Sequence, residues 1–169
     1  MTKSEEKIIE CFFKLIKKEK IENVNISMLC KEANITRQAF YYHYQSIYDL
    51  IFSIYYDIKI ECTDLSNFKK IIEDLEGFLN KFDYLNHQVI NSNANLILEE
   101  YIYSYLYRSI TSYFKLNKLS SNNSLIRFIV SGIKEFTVNK ILDKKRPIRL
   151  IEDLSEVFKN FKQINLIND

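Results

Sequence analysis

The sequence predicts an all-α protein, and three observations carry that expectation. Two glycines and one proline in 169 residues leave few turn or hairpin signals. Leu, Ile, Lys and Glu are abundant, which favours long helices joined by short polar connections. Apolar residues also recur three and four apart in segment after segment. A chain of this length can bury a hydrophobic interior as one domain or as two small ones.

The first predicted helix runs from Ser4 to Lys20, with Ile8, Ile9, Phe12, Leu15, Ile16 and Glu19 at helical spacing, Ser4 as cap, and Glu5 and Glu6 complementing its N-terminal pole. Lys14, Lys17, Lys18 and Lys20 fall late in this helix and balance its other pole, with a supporting phosphate contact as the functional alternative. After "IENVN", the segment "ISMLCKEAN" makes a short second helix with Leu29 and Ala33 on one face and Asn25 or Ser27 as its cap. Asn34 ends it, because Asn tolerates the left-handed conformation best after Gly. Ile35 then turns inward, Thr36 caps a third helix, "RQAFYYHY", and Phe40 faces the core. The opposite face presents Arg37, Gln38, Tyr41 and Tyr42.

Two short helices joined by a tight turn, with an N-terminal helix to pack on, make a helix-turn-helix layout. In such a layout, residues near the start of the second helix meet base edges and those near its end meet phosphates. The run "ISMLCKEANITRQAFYYHYQSIYDL" closely resembles the signature of the TetR family of bacterial transcriptional regulators: a small residue, a turn, Ser/Thr, a basic residue, then aromatic–x–His–aromatic before an acidic-Leu pair. The resemblance implies DNA contacts from Ser27, Thr36, Arg37, Gln38, Ala39, Tyr41, Tyr42 and His43. Gln38 and Ala39 would read bases, Tyr41 and Tyr42 would serve groove and phosphate, His43 would contact phosphate, and Phe40 and Tyr44 would be core. Three positions depart from the family pattern: Asn34 and Gln38, where Gly is common, and Ile47, where a Lys usually opens the fourth helix and touches phosphate. The lost charge implies weaker binding, or compensation by Arg37 and the early lysines.

The expected division is a DNA-binding head over 1–46 and a ligand-binding and dimerisation domain over 47–169. A fourth helix, Ser46 to about Cys62, sets Leu50, Ile54 and Ile58 in register. A fifth, from Ser66, has Ile71, Ile72, Leu75, Phe78, Leu79 and Phe82 as its stripe and Gly77 as an internal weak point. "HQVINSNANL" reads as a polar turn, with Asn95 capping the helix after it. In "EEYIYSYLYRSITSYF" the tyrosines keep period 2, but Leu98, Ile102, Leu106, Ile110 and Phe114 repeat at four, so a helix is expected. It would carry Tyr101/Tyr105 and Tyr103/Tyr107 as flanking pairs. "NSLIRFIVSGIKEFTVNKIL" turns Leu125, Ile129, Ile133 and Phe136 to one side, with Gly132 marking a close helix crossing. Pro147 opens the last helix, whose stripe is Leu150, Ile151, Leu154, Val157, Phe158, Phe161 and Ile164; Lys144, Lys145 and Arg146 before it read as a solvated loop. The resemblance implies an effector pocket, for which Tyr101 and Tyr105 are candidates against ordinary core packing. It also implies a four-helix dimer interface through Ile129, Gly132, Phe136, Leu154, Phe158 and Phe161.

Net charge is only +2, and the first fifty residues hold eight Lys/Arg against seven Asp/Glu, so DNA binding must rest on placement of charge. Cys11, Cys30 and Cys62 show neither paired nor metal-ligand spacing, so reduced thiols in a cytoplasm are expected, without metal or cofactor. The acidic start "MTKSEEKIIECFFKL" does not read as a leader, and no segment approaches a membrane span. With no nucleophile–base pair or phosphate loop, no enzyme is expected. The partners called for are a double-stranded DNA operator, a second copy of the chain, and an unknown small-molecule effector that releases a repressor. The alternatives are control by a protein partner, including activation, and an all-α interaction protein that has lost DNA binding.

Overall fold

The computed structural model describes residues 2–120, 122–143 and 146–163, with side chains as far as residue 156. Among the described residues the chain is all-helical, without a strand. The helices are α1 (Lys3–Ile16), α2 (Ile26–Ala33), α3 (Arg37–His43), α4 (Ile47–Asp57), α5 (Phe68–Lys81), α6 (Asp83–Ile90), α7 (Asn95–Leu116), α8 (Asn123–Leu142) and α9 (Leu150–Gln163). They form two compact units, the first from Met1–Lys59 with Asp83–Ile102 and the second from Ile60–Phe82 with Tyr103–Asp169. The expected boundary after residue 46 lies inside the first unit. No helix among the described residues is long and apolar enough to cross a membrane.

In the first unit, α1 begins earlier than expected. Thr2, not Ser4, is the cap: its hydroxyl accepts the Glu5 N–H at 3.3 Å, and Glu5 Oε2 accepts the Thr2 N–H at 2.6 Å. Only Thr2 has a Glu three residues on, the pairing a capping box requires; Ser4 has Lys7 there. Ile8, Phe12 and Ile16 are fully buried, and α1 packs on α2 and α6. α1 stops at Ile16, short of Lys20, where the Ile16 carbonyl accepts the Tyr84 hydroxyl of α6 at 2.6 Å.

That helix α6 takes over residues 87–90, the start of the predicted polar turn. Leu85, Asn86, Val89 and Ile90 are buried at helical spacing, and the one polar member is matched by the Tyr55 hydroxyl, which donates to Asn86 Oδ1 at 2.9 Å. The turn shrinks to 91–94, where Ser92 Oγ donates to the Val89 carbonyl and accepts the Ala94 N–H. Asn95 is the first helical residue of α7. α4 likewise ends at Asp57, before Cys62, and the Ile58 carbonyl beyond it accepts the Tyr101 hydroxyl at 2.6 Å.

In the second unit, Asn67 caps α5, which buries Ile71, Ile72, Leu75, Phe78 and Leu79 as expected; Phe82 caps its end. α7 is a helix throughout, with Tyr103 and Tyr107 stacked at 6.0 Å. α8 keeps its predicted span, but its inward face is Ile126, Val130, Ile133, Thr137 and Ile141. The predicted stripe is therefore rotated: Leu125 is exposed, and Ile129 and Phe136 are half-buried. Thr137 can sit inside because its hydroxyl donates to the Ile133 carbonyl at 2.7 Å.

Pro147 does not open α9, which starts at Leu150 and packs on α5. The Asn80 side chain clasps the preceding segment, donating to the Ile148 carbonyl at 2.9 Å and accepting the Ile148 N–H at 2.8 Å. Glu76 accepts the Ile151 N–H at 3.1 Å, satisfying a helix-start donor. Arg146 is more than a solvated loop residue, since its guanidinium donates to the Ile141 and Asp143 carbonyls at the end of α8. Lys144, Lys145 and Ile164 lie outside the described residues, as do the side chains of Val157, Phe158 and Phe161.

Candidate nucleic-acid interface

The local geometry of residues 25–44 is set by three short polar side chains, one of them on a left-handed residue. Asn25 Oδ1 accepts the Met28 N–H at 3.0 Å, so Asn25, and not Ser27, caps α2. Asn34 takes φ 50°, ψ 52°, and the Ile35 N–H closes back on the Cys30 carbonyl at 3.0 Å. Thr36 Oγ1 accepts the Ala39 N–H at 3.1 Å and starts α3. Each device satisfies an orphan backbone group at a helix end, so the turn is specified residue by residue.

Burial divides α3 into two faces. Leu29, Ala33, Phe40 and Tyr44 are buried, while Ile35 is only half-buried. Thr36, Arg37, Gln38, Tyr41 and Tyr42 are exposed with Ser27 of α2, and Ala39 and His43 are half-buried. Tyr42 is 84% exposed, a large aromatic held out in solvent on the side away from Phe40.

Ser27, Arg37, Ser46, Ile47 and Tyr48 line one groove of about 600 Å³. Arg37, the candidate replacement for the missing lysine, thus shares a groove with Ile47, the position that lacks the charge. Among the described residues no carboxylate lies within ion-pair distance of Arg37, which leaves its guanidinium available to an anion.

Burial raises the pKa of two groups behind the exposed face. Desolvation raises the Cys30 thiol pKa against the opposing Arg37 charge, and its Sγ lies 3.8 Å from the Thr36 carbonyl. Desolvation likewise raises the Tyr44 phenol, opposed by a hydrogen bond with Ser53. Glu5 behaves in the opposite sense. The Thr2 backbone N–H, followed by the Thr2 hydroxyl, holds its carboxyl below the usual range, and the charge of His43 adds to this. His43 Nδ1 stands 3.5 Å from Glu5 Oε1. Sequence reasoning left Glu5 out of the site; the Thr2-x-x-Glu5 capping box was visible, but its second partner is remote in sequence.

The other candidate residues separate. Tyr101 belongs to the first unit and Tyr105 to the second, and each hydroxyl donates to a main-chain carbonyl, Ile58 for Tyr101 and Ile71, at 2.9 Å, for Tyr105. Burial raises the Tyr105 phenol pKa strongly. Ile129, Gly132 and Phe136 share the outer side of α8, whereas Leu154 is buried within the chain. A Cβ added at Gly132 meets nothing within 4 Å among the described residues, so the helix crossing expected there is not made by them.

No family model and no curated protein matches the chain. It is similar over 99% of its length, and over 99% of the other chain, to the solved structure of the "Dihydroxyacetone kinase operon activator DhaS", with a TM-score of 0.66 and 16% sequence identity. At that identity the likeness speaks for architecture, and the conclusion is that the chain has the all-α fold of that activator.

Proposed function

We propose that the protein is a dimeric, TetR-like transcriptional regulator that binds double-stranded DNA. The observation that carries this reading is the exposed face of α3: Arg37, Gln38, Tyr41 and Tyr42 project from a helix whose other side, Phe40, is fully buried. A helix held this firmly, with polar and aromatic residues facing out, suits insertion into a major groove. Gln38 and Ala39 meet base edges, Tyr41, Tyr42 and His43 meet the backbone, and Ser27 and Thr36 support them from the groove edge. Arg37 supplies the charge that Ile47 lacks. Two copies related by a two-fold axis read a roughly palindromic operator. No catalytic step is involved.

Control by a small molecule that releases a repressor is the version the resemblance carries. A second version, control by a protein partner and activation of an operon, is favoured by two observations. Both candidate pocket tyrosines spend their hydroxyls on the fold, and the protein with the matching structure is described as an operon activator. In either version the effector shifts the protein only by its differential affinity for two states.

The test is gel-shift binding to the DNA flanking the protein's own gene. Arg37→Ala and Tyr42→Ala should each weaken binding by about 1–3 kcal/mol, roughly five- to 150-fold, with affinity falling steeply as salt rises. Wild-type protein that showed no salt-sensitive binding would reject the reading in favour of an interaction protein without DNA.

A further inference from the structure

The contact between α1 and α3 points to a residue outside the exposed face. One carboxylate joins the start of α1 to the end of α3: Glu5 Oε2 accepts the Thr2 N–H at 2.6 Å, and Oε1 faces His43 Nδ1 at 3.5 Å. We propose that Glu5 is a positioning residue for DNA binding, holding the His43 imidazole with its Nδ1 proton toward α1 so that Nε2 is the nitrogen left to donate to a phosphate oxygen. This role rests on the reading of α3 as the DNA-facing helix.

Three features support it. First, the acceptor geometry asks for a carboxylate. A capping box by itself is satisfied by Glu or Gln, because only one acceptor oxygen is needed. Glu5 gives one oxygen to the Thr2 N–H and turns the other toward His43 Nδ1, whereas Gln, with one oxygen and one donating NH₂, can present an acceptor to only one of them. Second, the ring is held on other sides as well. Tyr42 packs edge-on against it at 5.0 Å and Tyr44 lies at 6.2 Å, while the His43 side chain is only 12% exposed. Third, Nδ1 is the ring nitrogen that faces the Glu5 carboxylate, so the two ring nitrogens differ in their surroundings.

A carboxylate near a DNA-binding face repels phosphate, so Glu5 gives the two explanations opposite signs. If it served only the helix cap, its neutralisation would leave binding unchanged or strengthen it. As the residue that orients His43, its neutralisation weakens binding.

The experiment uses the full chain and Glu5→Gln, which keeps a capping-box acceptor and should unfold near the wild-type midpoint. Long-range ¹H–¹⁵N NMR of the free protein reads the His43 tautomer. Wild type should carry the neutral-ring proton on Nδ1, and Glu5→Gln should give a mixture. Titration of a labelled duplex from the DNA flanking the gene should show Glu5→Gln binding about fivefold more weakly. His43→Ala should then cost little more in the Glu5→Gln background than Glu5→Gln costs alone. Binding by Glu5→Gln as tight as wild type or tighter, or a wild-type proton on Nε2, would overturn the role. Failure of the DNA reading itself is distinguishable, because it appears as absent wild-type binding before any variant is compared.

Discussion

Asn34 is where a single backbone requirement selects a residue type. With φ 50° and ψ 52° it sits in the left-handed region, where a Cβ costs about 1–2 kcal/mol unless a short polar side chain offsets it. Asn34→Gly should therefore change stability by no more than a few tenths of a kcal/mol, whereas Asn34→Ala should lose about 1 kcal/mol in denaturant unfolding. An unchanged midpoint for Asn34→Ala would show that the turn relaxes to another conformation. Asn34, Thr36 and Phe40 were legible in the sequence because their roles depend on neighbours within four residues, while the burial of Tyr44 was implied by the resemblance. Glu5 and His43 were only half legible. Each has a local role, but their pairing exists only after α1 and α3 are packed beside the same core.

Among the helices, existence and type were easier to read than ends and faces. α6 was missed because a buried Asn disguises its apolar side; Tyr55 supplies the missing partner from another helix. α8 was found in full, yet its inward face is turned, since Thr137 competes for burial once its hydroxyl is satisfied by its own backbone. The start of α9 depends on Asn80 of α5, which makes a two-bond clasp on Ile148. Asn80→Ala should destabilise the protein by about 1–3 kcal/mol by leaving both backbone groups unsatisfied. Hydrogen exchange should accelerate first over residues 148–154. Uniform acceleration across all helices would instead mean that the clasp contributes only to global stability.

The proposed dimer can be tested through two glycines that differ in surroundings only if a partner is present. Gly77 in α5 and Gly132 in α8 are both exposed, and an added Cβ at either meets nothing within 4 Å among the described residues. By helix propensity alone, each change to Ala should stabilise the protein by up to about 1 kcal/mol. If α8 packs closely on a second copy, Gly132→Ala should instead weaken self-association in sedimentation equilibrium, while Gly77→Ala leaves it unchanged. Phe128, 79% exposed on the same helix, belongs to the apolar surface such an interface would cover. Equal self-association by both variants would remove Gly132 from the interface.

The all-α class, the helix-turn-helix and most of its caps are determined by the chain alone, because spacing, turn chemistry and capping act over a few residues. Tertiary packing decided where α1 and α4 stop, which side of α8 turns inward, and where the hydroxyls of Tyr84, Tyr101 and Tyr105 are used. The three hydroxyls each pair with a carbonyl far away in sequence. Periodicity marks which residues can be buried together, but only the assembled core shows which buried polar groups find a donor or an acceptor, and that cost decides the ends and faces.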